Sequence, residues 1–464
     1  MNPLRSHKRL PICVALVFSF VPPCVSNTSY AQDKSVRPGI NTPFQKPTPS
    51  EFLEKFEVES REIFAKRNEI VAACQVNPGI TIADVGLKEN YFIIFRKATA
   101  DVESPSYPAI KQAMESFVSK NDVAGVVTMV VTPNTTLHLD ATGFSDLANQ
   151  APMKTDSIHW IASMSKPITA ASMMMLVDEG KIALSDPISK YLPEMAGLKT
   201  TAGQAVTISI EQLLNHTSGM SELPAGEAYS SPTLAVASEK YAKLPILFNP
   251  GSKWQYSQTS INTAARIIEV ASGKSFDLFV DERVCKPLGM RDTTFYLSDA
   301  QIPRLAKSYT KESDGTLKES PIGLLSGKKP SDRDRMPAGN GGLFSTIHDY
   351  ATFCQMLLND GMWNGDQILS EKSVTRLRTP TTGDLKTGFT PGNAWGVGCC
   401  VVREPQGVSQ SLSVGSFGHG GAYGTQAWID PVRKRCYLIM VQRSNFSNAD
   451  DSDLRKVFQN LGSQ

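Results

Sequence analysis

From Ser106 onward the apolar positions fall into two kinds of run. Val126–Val131, Gly396–Val402, Ala427–Ile429 and Cys436–Val441 are short, continuous and bounded by turn residues, the pattern of buried strands. Thr136–Ala141 is set to pair with the first of them around the turn Pro133-Asn134. Between these come longer stretches with helical periodicity: Ile110–Val118, Ile168–Val177, Ile261–Ala271, Asp349–Leu358 and a closing Leu454–Leu461. Strands at both ends with helices between predict an α/β (α+β) fold, a sheet flanked by helices with a mostly helical second lobe at about 167–330. Length alone would suit three domains, but this order of elements reads as one unit of two lobes over 106–464.

The first hundred residues have a different character. Arg5, Lys8 and Arg9 precede a short apolar core, Pro11–Val21, and Ser29-Tyr30-Ala31 offers small residues at a cleavage position. Residues 1–31 therefore read as a secretory signal peptide, with Gln32 starting the mature chain and an exported, periplasmic or extracellular location. The apolar core is too short to span a bilayer, and no later transmembrane segment is predicted. Residues 32–105 read as a linker and a helical N-terminal extension. Gln32 to Pro49 is rich in Pro, Ser, Thr and Lys, and Phe52, Phe56, Ile63, Phe64, Ile70, Val71 and Cys74 share one helical face. Ile80–Gly86 then reads as a strand, and this piece resembles the opening of a SAM-dependent methyltransferase. The segment Leu87–Tyr91 lacks the glycines such a cofactor loop needs, so no cofactor is expected.

Loss of residues 1–31 removes three of the 47 basic side chains and none of the 45 acidic ones. A near-neutral mature chain gives no reason to expect a nucleic-acid partner. Six mature cysteines, at 74, 285, 354, 399, 400 and 436, are too sparse for a disulfide framework in a chain this long, although one bridge is open to them. Cys399 and Cys400, adjacent in a strand-like run, should face opposite ways. The chain holds no His-Glu-x-x-His helix, no Cys-x-x-Cys pair and no Gly-x-Ser-x-Gly elbow, so neither a metal site nor an α/β-hydrolase nucleophile is predicted.

The candidate chemistry lies in Trp160–Ala170, where Ser163-Met164-Ser165-Lys166 places a hydroxyl and an amine three residues apart. On a helix beginning at the serine the two share a face, with β-carbons about 5–6 Å apart. Serine needs an adjacent base to act as a nucleophile, and a buried lysine, lowered from its usual pKa of about 10.4, can be that base. Ser308–Lys311 and Ser326–Lys329 fit the same Ser-x-x-Lys pattern, but both read as exposed loops, whereas Ser163 sits between Trp160-Ile161-Ala162 and an apolar helix. Among the histidines, His138 and His159 read as structural and His348 as a surface residue.

Four further stretches accompany this one in order: Leu213–Met220, Trp254–Thr259, Gly339–Thr346 and Gly418–Thr425. With them, the chain from Pro108 to Leu461 resembles the serine β-lactamase-like superfamily of class C β-lactamases, family VIII carboxylesterases and D-alanyl-D-alanine carboxypeptidases. That resemblance implies a β-lactamase/transpeptidase-like fold with an antiparallel sheet. It also implies Ser163 as acylated nucleophile, Lys166 as its base, Tyr256 as proton relay and the backbone N–H groups of Ser163 and Ala422 as an oxyanion hole. Gln258 would contact substrate where the family has asparagine. His419-Gly420-Gly421 would stand where it has Lys-Thr-Gly or His-x-Gly, without the permanent cation or the hydroxyl. The expected activity is that of a secreted serine hydrolase acting through an acyl-enzyme on small-molecule esters or D-amino-acid amides. The competing readings are a β-lactamase or peptidoglycan D,D-carboxypeptidase acting on a β-lactam or peptide, and a catalytically silent binding protein on the same fold. Oligomeric state is not readable.

Overall fold

Val126–Val131 is apolar on both faces, but for Thr128, because the strand it forms is covered on both faces, and the domain is built outward from it. The computed structural model describes residues 16–19, 80–87, 90–97 and 107–464, apart from 225–226, 228, 389 and 447–451. The chain folds as two units, 1–104 and 105–464.

In the first unit, β1 (Leu16–Ser19), β2 (Ile80–Leu87) and β3 (Asn90–Lys97) form an antiparallel sheet in the order β1-β3-β2. The strand read at 80–86 is present and pairs antiparallel with β3. This antiparallel pairing is unlike a parallel cofactor-binding crossover. The helix read at 51–74 lies outside the described residues.

In the second unit, α1 (Pro108–Ser119) leads into β4 (Gly125–Val131), β5 (Thr136–Asp146) and β6 (Ala151–Pro152). The C-terminal third supplies β7 (Asn393–Trp395), β8 (Cys400–Val402), β9 (Phe417–Gly420), β10 (Gln426–Asp430) and β11 (Arg435–Val441). Together they make one eight-stranded sheet, β7-β8-β9-β10-β11-β4-β5-β6, antiparallel throughout. The seam between the two contributions is β11 against β4, with Cys436 opposite Val131 and Val441 opposite Val126. Alternate residues of these strands face two cores. Val127, Met129, Leu438 and Met440 point into the large one shared with the helical region, and Val126, Val130, Tyr437 and Ile439 point into a smaller one under α1 and α6 (Asp453–Gly462).

The run 396–402, read as one strand, is a hairpin corner. Gly396 N–H bonds Cys399 O, and Gly398 adopts a left-handed φ of 73°. Cys399 faces the large core and Cys400 the small one. Cys285, Cys354, Cys399 and Cys436 are free thiols. Between the strand groups lie α2 (Ser165–Asp178), α3 (Ile210–Leu214), α4 (Gln258–Ser272) and α5 (Ile347–Leu358), among shorter elements. In α2, twelve of fourteen residues are buried, which accounts for its being apolar all round. The start of α4 is fixed by the Ser257 hydroxyl, which caps Ser260 N–H, and its end by left-handed Gly273. Among the described residues no helix is long and apolar enough to cross a membrane.

Candidate active site

The helix at the Ser-x-x-Lys pair starts later than its sequence suggests. Ala162–Met164 is a 3₁₀ turn and α2 begins at Ser165, so Ser163 stands on the turn and Lys166 in the first α-helical turn. Ala162 has φ +45°, the left-handed region that costs a non-glycine residue on the order of 1–3 kcal/mol. Surrounding bonds hold that geometry. Trp160 Nε1 donates to Gly341 O at 2.7 Å, Ile161 N–H to Leu343 O at 3.1 Å and Gln442 Nε2 to Trp160 O at 3.0 Å. Ser165 Oγ donates to Ala162 O at 2.8 Å and accepts from Leu343 N–H, while Tyr350 OH donates to Met164 O. Ser163, half-buried, is presented at the surface of this clamp.

Lys166 is fully buried, yet its ammonium nitrogen lies 3.0 Å from Ser163 Oγ, 2.9 Å from Gln258 Oε1 and 2.6 Å from Asn340 O. Burial pushes its pKa well below the lysine range, against a weaker opposing effect of the Glu222 carboxylate. A neutral amine has two N–H groups and one lone pair. The two acceptor-only partners, Gln258 Oε1 and Asn340 O, take the hydrogens, and the lone pair is left for the Ser163 hydroxyl hydrogen. That is the arrangement a general base requires.

Tyr256 comes from the segment before α4, and its ring centroid lies 4.7 Å from Lys166 Nζ. Its hydroxyl is 3.4 Å from His419 Nε2 on β9. His419 Nδ1 is 2.6 Å from Gly420 O, an acceptor, so the ring proton sits on Nδ1 and Nε2 is left to accept from the tyrosine. Burial first, and Lys166 second, press the His419 pKa down to about 3, so the imidazole is neutral. Gln258 has its carbonyl oxygen engaged by Lys166 and by Asn340 Nδ2 at 2.8 Å, which leaves its amide nitrogen as the end available to a substrate.

Gly420 ends β9, and Gly421 follows at a close approach. A Cβ on Gly421 would lie 2.0 Å from Thr425 Oγ1 and 2.6 Å from Ile161 O. The missing side chain lets this turn lie against the nucleophile loop, reinforced by the Thr425 hydroxyl on Ile161 O. Ala422, exposed, follows at once. Among the described residues neither its N–H nor that of Ser163 has a hydrogen-bond acceptor, so both can serve a developing oxyanion.

Residues not singled out from sequence complete the site. Asn340 carries Lys166 on its carbonyl and bridges Gln258 and Tyr229 with its amide. Exposed Glu222 accepts from Gln258 N–H and from the N–H and hydroxyl of Thr259, so a carboxylate caps α4 beside the site. His216 is buried against Tyr256. Asn340 and His216 lie in stretches whose pattern stood out, but nothing local marks Glu222, which caps a helix 36 positions further on. The rival motifs resolve differently. Ser308, expected in an exposed loop, is buried in a short strand, because Ser308–Lys311 pairs with Leu317–Ser320, and Lys311 binds Asp122 rather than the serine. Ser326 is exposed. Among the described residues no cluster of His, Cys, Asp and Glu could hold a metal ion.

Comparison with known proteins agrees with this fold. A family model described as Beta-lactamase matches residues 110–460. Protein Rv1367c of Mycobacterium tuberculosis (strain ATCC 25618 / H37Rv) is 34% identical over 350 residues, 69% of this chain and 86% of that protein. Esterase EstB of Burkholderia gladioli is 26% identical over 347 residues, 68% of this chain and 86% of the esterase. The solved structure of EstCE1, described as a hydrolase with promiscuous acyltransferase activity, superposes with a TM-score of 0.66 at 21% identity, covering 78% of this chain and 99% of that one.

The close approach at Gly421 generates a test. Gly421→Ala must push the turn bearing Ala422 away from Ile161, because the nearest obstacle includes backbone. Loss of one aligned oxyanion donor costs on the order of 10²–10³ in turnover. We expect a fall of that order with folding retained by circular dichroism; wild-type turnover in a folded variant would remove Ala422 from the site.

Proposed function

The chain belongs to the Beta-lactamase family, and from that premise we propose that it is a serine hydrolase working through an acyl-enzyme, with small uncharged esters as its preferred substrates. The observation that carries this reading is the placing of buried Lys166 Nζ, 3.0 Å from Ser163 Oγ and held by two acceptor-only partners, Gln258 Oε1 and Asn340 O.

Ser163 Oγ attacks the ester carbonyl as its proton passes to Lys166, and the carbonyl oxygen becomes an anion held by the Ser163 and Ala422 N–H groups. Collapse breaks the bond to the alkoxide, which leaves as an alcohol with a proton returned from Lys166 through Tyr256. Water then attacks the acyl-serine. Its proton goes to the same base, and the acid departs as Ser163 regains its hydrogen. Preference for esters over β-lactams follows from charge. A β-lactam brings a carboxylate beside its ring, and here His419 is neutral, Gly420 has no hydroxyl, and Glu222 adds a negative charge nearby. A charged group poorly satisfied on desolvation costs about 1–3 kcal/mol or more, and each 1.36 kcal/mol is tenfold in rate. The name of one relative, esterase EstB, supports the same preference. Export rests on the basic start and short apolar core of residues 1–31.

Ser163→Ala should abolish labelling by a fluorophosphonate probe and all ester turnover; labelling that survives would refute the nucleophile. Lys166→Ala should lower turnover by about 10²–10⁴-fold. Because the base must be unprotonated and its pKa is lowered, kcat/KM should rise with pH through the lowered Lys166 pKa and level off well below 10.5. A limb still rising at pH 10 would mean an ordinary lysine. On one preparation, the kcat/KM for p-nitrophenyl butyrate should exceed that for a chromogenic cephalosporin at least tenfold; equality or the reverse order would favour the β-lactamase reading. N-terminal sequencing of exported protein should begin at Gln32, and an intact leader would count against export.

A further inference from the structure

The stretch Leu213–Met220 contributes nothing to the steps above, yet it delivers His216 to the centre of the site. His216 takes a left-handed φ of 63° and is fully buried. Its carbonyl accepts from Gln255 N–H at 2.9 Å, and its Nδ1 accepts from Ser257 N–H at 3.1 Å. These are the residues on either side of Tyr256. Between them, the imidazole lies against the tyrosine ring at 4.6 Å between centroids and 39° between planes. One residue thus holds the backbone before Tyr256, the backbone after it, and its ring. The same ring lies against Lys166 Nζ.

The chemistry of the imidazole agrees with a fixed, uncharged part. Nδ1 accepts a hydrogen bond, so the ring proton is on Nε2, and among the described residues Nε2 has no hydrogen-bond partner. Trp395 and Trp254 meet the ring edge-on, at 5.0 Å and 5.9 Å. Burial, with Lys166 and His419 nearby, holds its pKa well below the histidine range. An N–H buried without an acceptor is costly in a merely structural position. Here the residue supplies an acceptor, an aromatic face and a left-handed backbone together.

We propose that His216 is the positioning residue for Tyr256, setting the place of the tyrosine hydroxyl by gripping both flanking amides and the ring. The proposal rests on the serine-hydrolase reading above, in which that hydroxyl carries a proton. A displacement of about 1 Å near the chemistry is worth on the order of 10² in rate, and the effect belongs in kcat, since substrate contacts are not removed.

Two substitutions separate the contacts. In His216→Asn, Oδ1 occupies the place of Nδ1 and asparagine tolerates the left-handed backbone, so the Ser257 bond survives while the ring is lost. In His216→Phe the ring survives and the acceptor is lost. Turnover of p-nitrophenyl butyrate is measured per active site, titrated with a fluorophosphonate so that misfolded molecules do not count. His216→Phe should lower kcat about 10²-fold with KM within about threefold of wild type, and His216→Asn should recover most of that loss. In a Tyr256→Phe background, where no hydroxyl remains to be placed, either change should alter kcat less than about twofold. Losses that multiply in the two backgrounds, or a His216→Phe kcat equal to wild type per titrated site, would overturn the role of His216 alone. A wild-type protein that the fluorophosphonate does not label would instead overturn the hydrolase reading and this proposal with it.

Discussion

A lysine amine sealed from water against a serine hydroxyl is the constraint on which the rest of this structure depends. An isolated ammonium in such a place would be several kcal/mol unfavourable, so burial pushes the Lys166 pKa down and favours the neutral amine. Asn340 O and Gln258 Oε1 hold that amine from positions 174 and 92 residues away in sequence. Both are acceptors only, and that forces the lone pair toward Ser163. Replace either by a donor and the amine would turn, whatever the spacing of serine and lysine along α2.

Holding that arrangement accounts for much of the architecture. The nucleophile turn is pinned by partners from three distant parts of the chain, 341–343, Tyr350 and Gln442. They meet because strands from both ends of the domain share one sheet while the intervening helices fold onto one face of it. The strained φ of Ala162 is stable only inside this clamp. On the other side of Ser163, Gly421 permits backbone to approach backbone, so the N–H groups proposed as oxyanion donors are placed by main chain and not by side chains.

Around this machinery the polar groups that could read a substrate are few and uncharged. His419 and His216 are both held neutral by burial, and the carboxylate at hand, Glu222, is engaged at the head of α4. In the proposed mechanism acyl transfer and charge recognition are separable: the first needs only Ser163, Lys166 and the backbone donors, while the second needs cations that burial has removed from the imidazoles.

The sequence alone determined what depends on near neighbours. A spacing of three placed Ser163 and Lys166 together, the run Val126–Val131 announced a strand covered on both sides, and α2, α4 and α5 were legible as local helical patterns of apolar residues. Where two short strands share a glycine corner, as at 393–402, apolarity alone ran them together. Sequence context already favoured Ser163 among three Ser-x-x-Lys segments, but only the tertiary structure shows what keeps Ser308 and Lys311 from forming a dyad. Lys311 meets Asp122 from 189 residues away, whereas among the described residues Lys166 meets no carboxylate at ion-pair distance. The tertiary structure alone also decided that burial holds His419 neutral, that Gln258 turns its oxygen inward, and that His216 lies beside Tyr256 and Glu222 at the head of α4. Desolvation and hydrogen-bond satisfaction are properties of whatever surrounds a group in three dimensions, and those surroundings are assembled from segments that say nothing of each other along the chain.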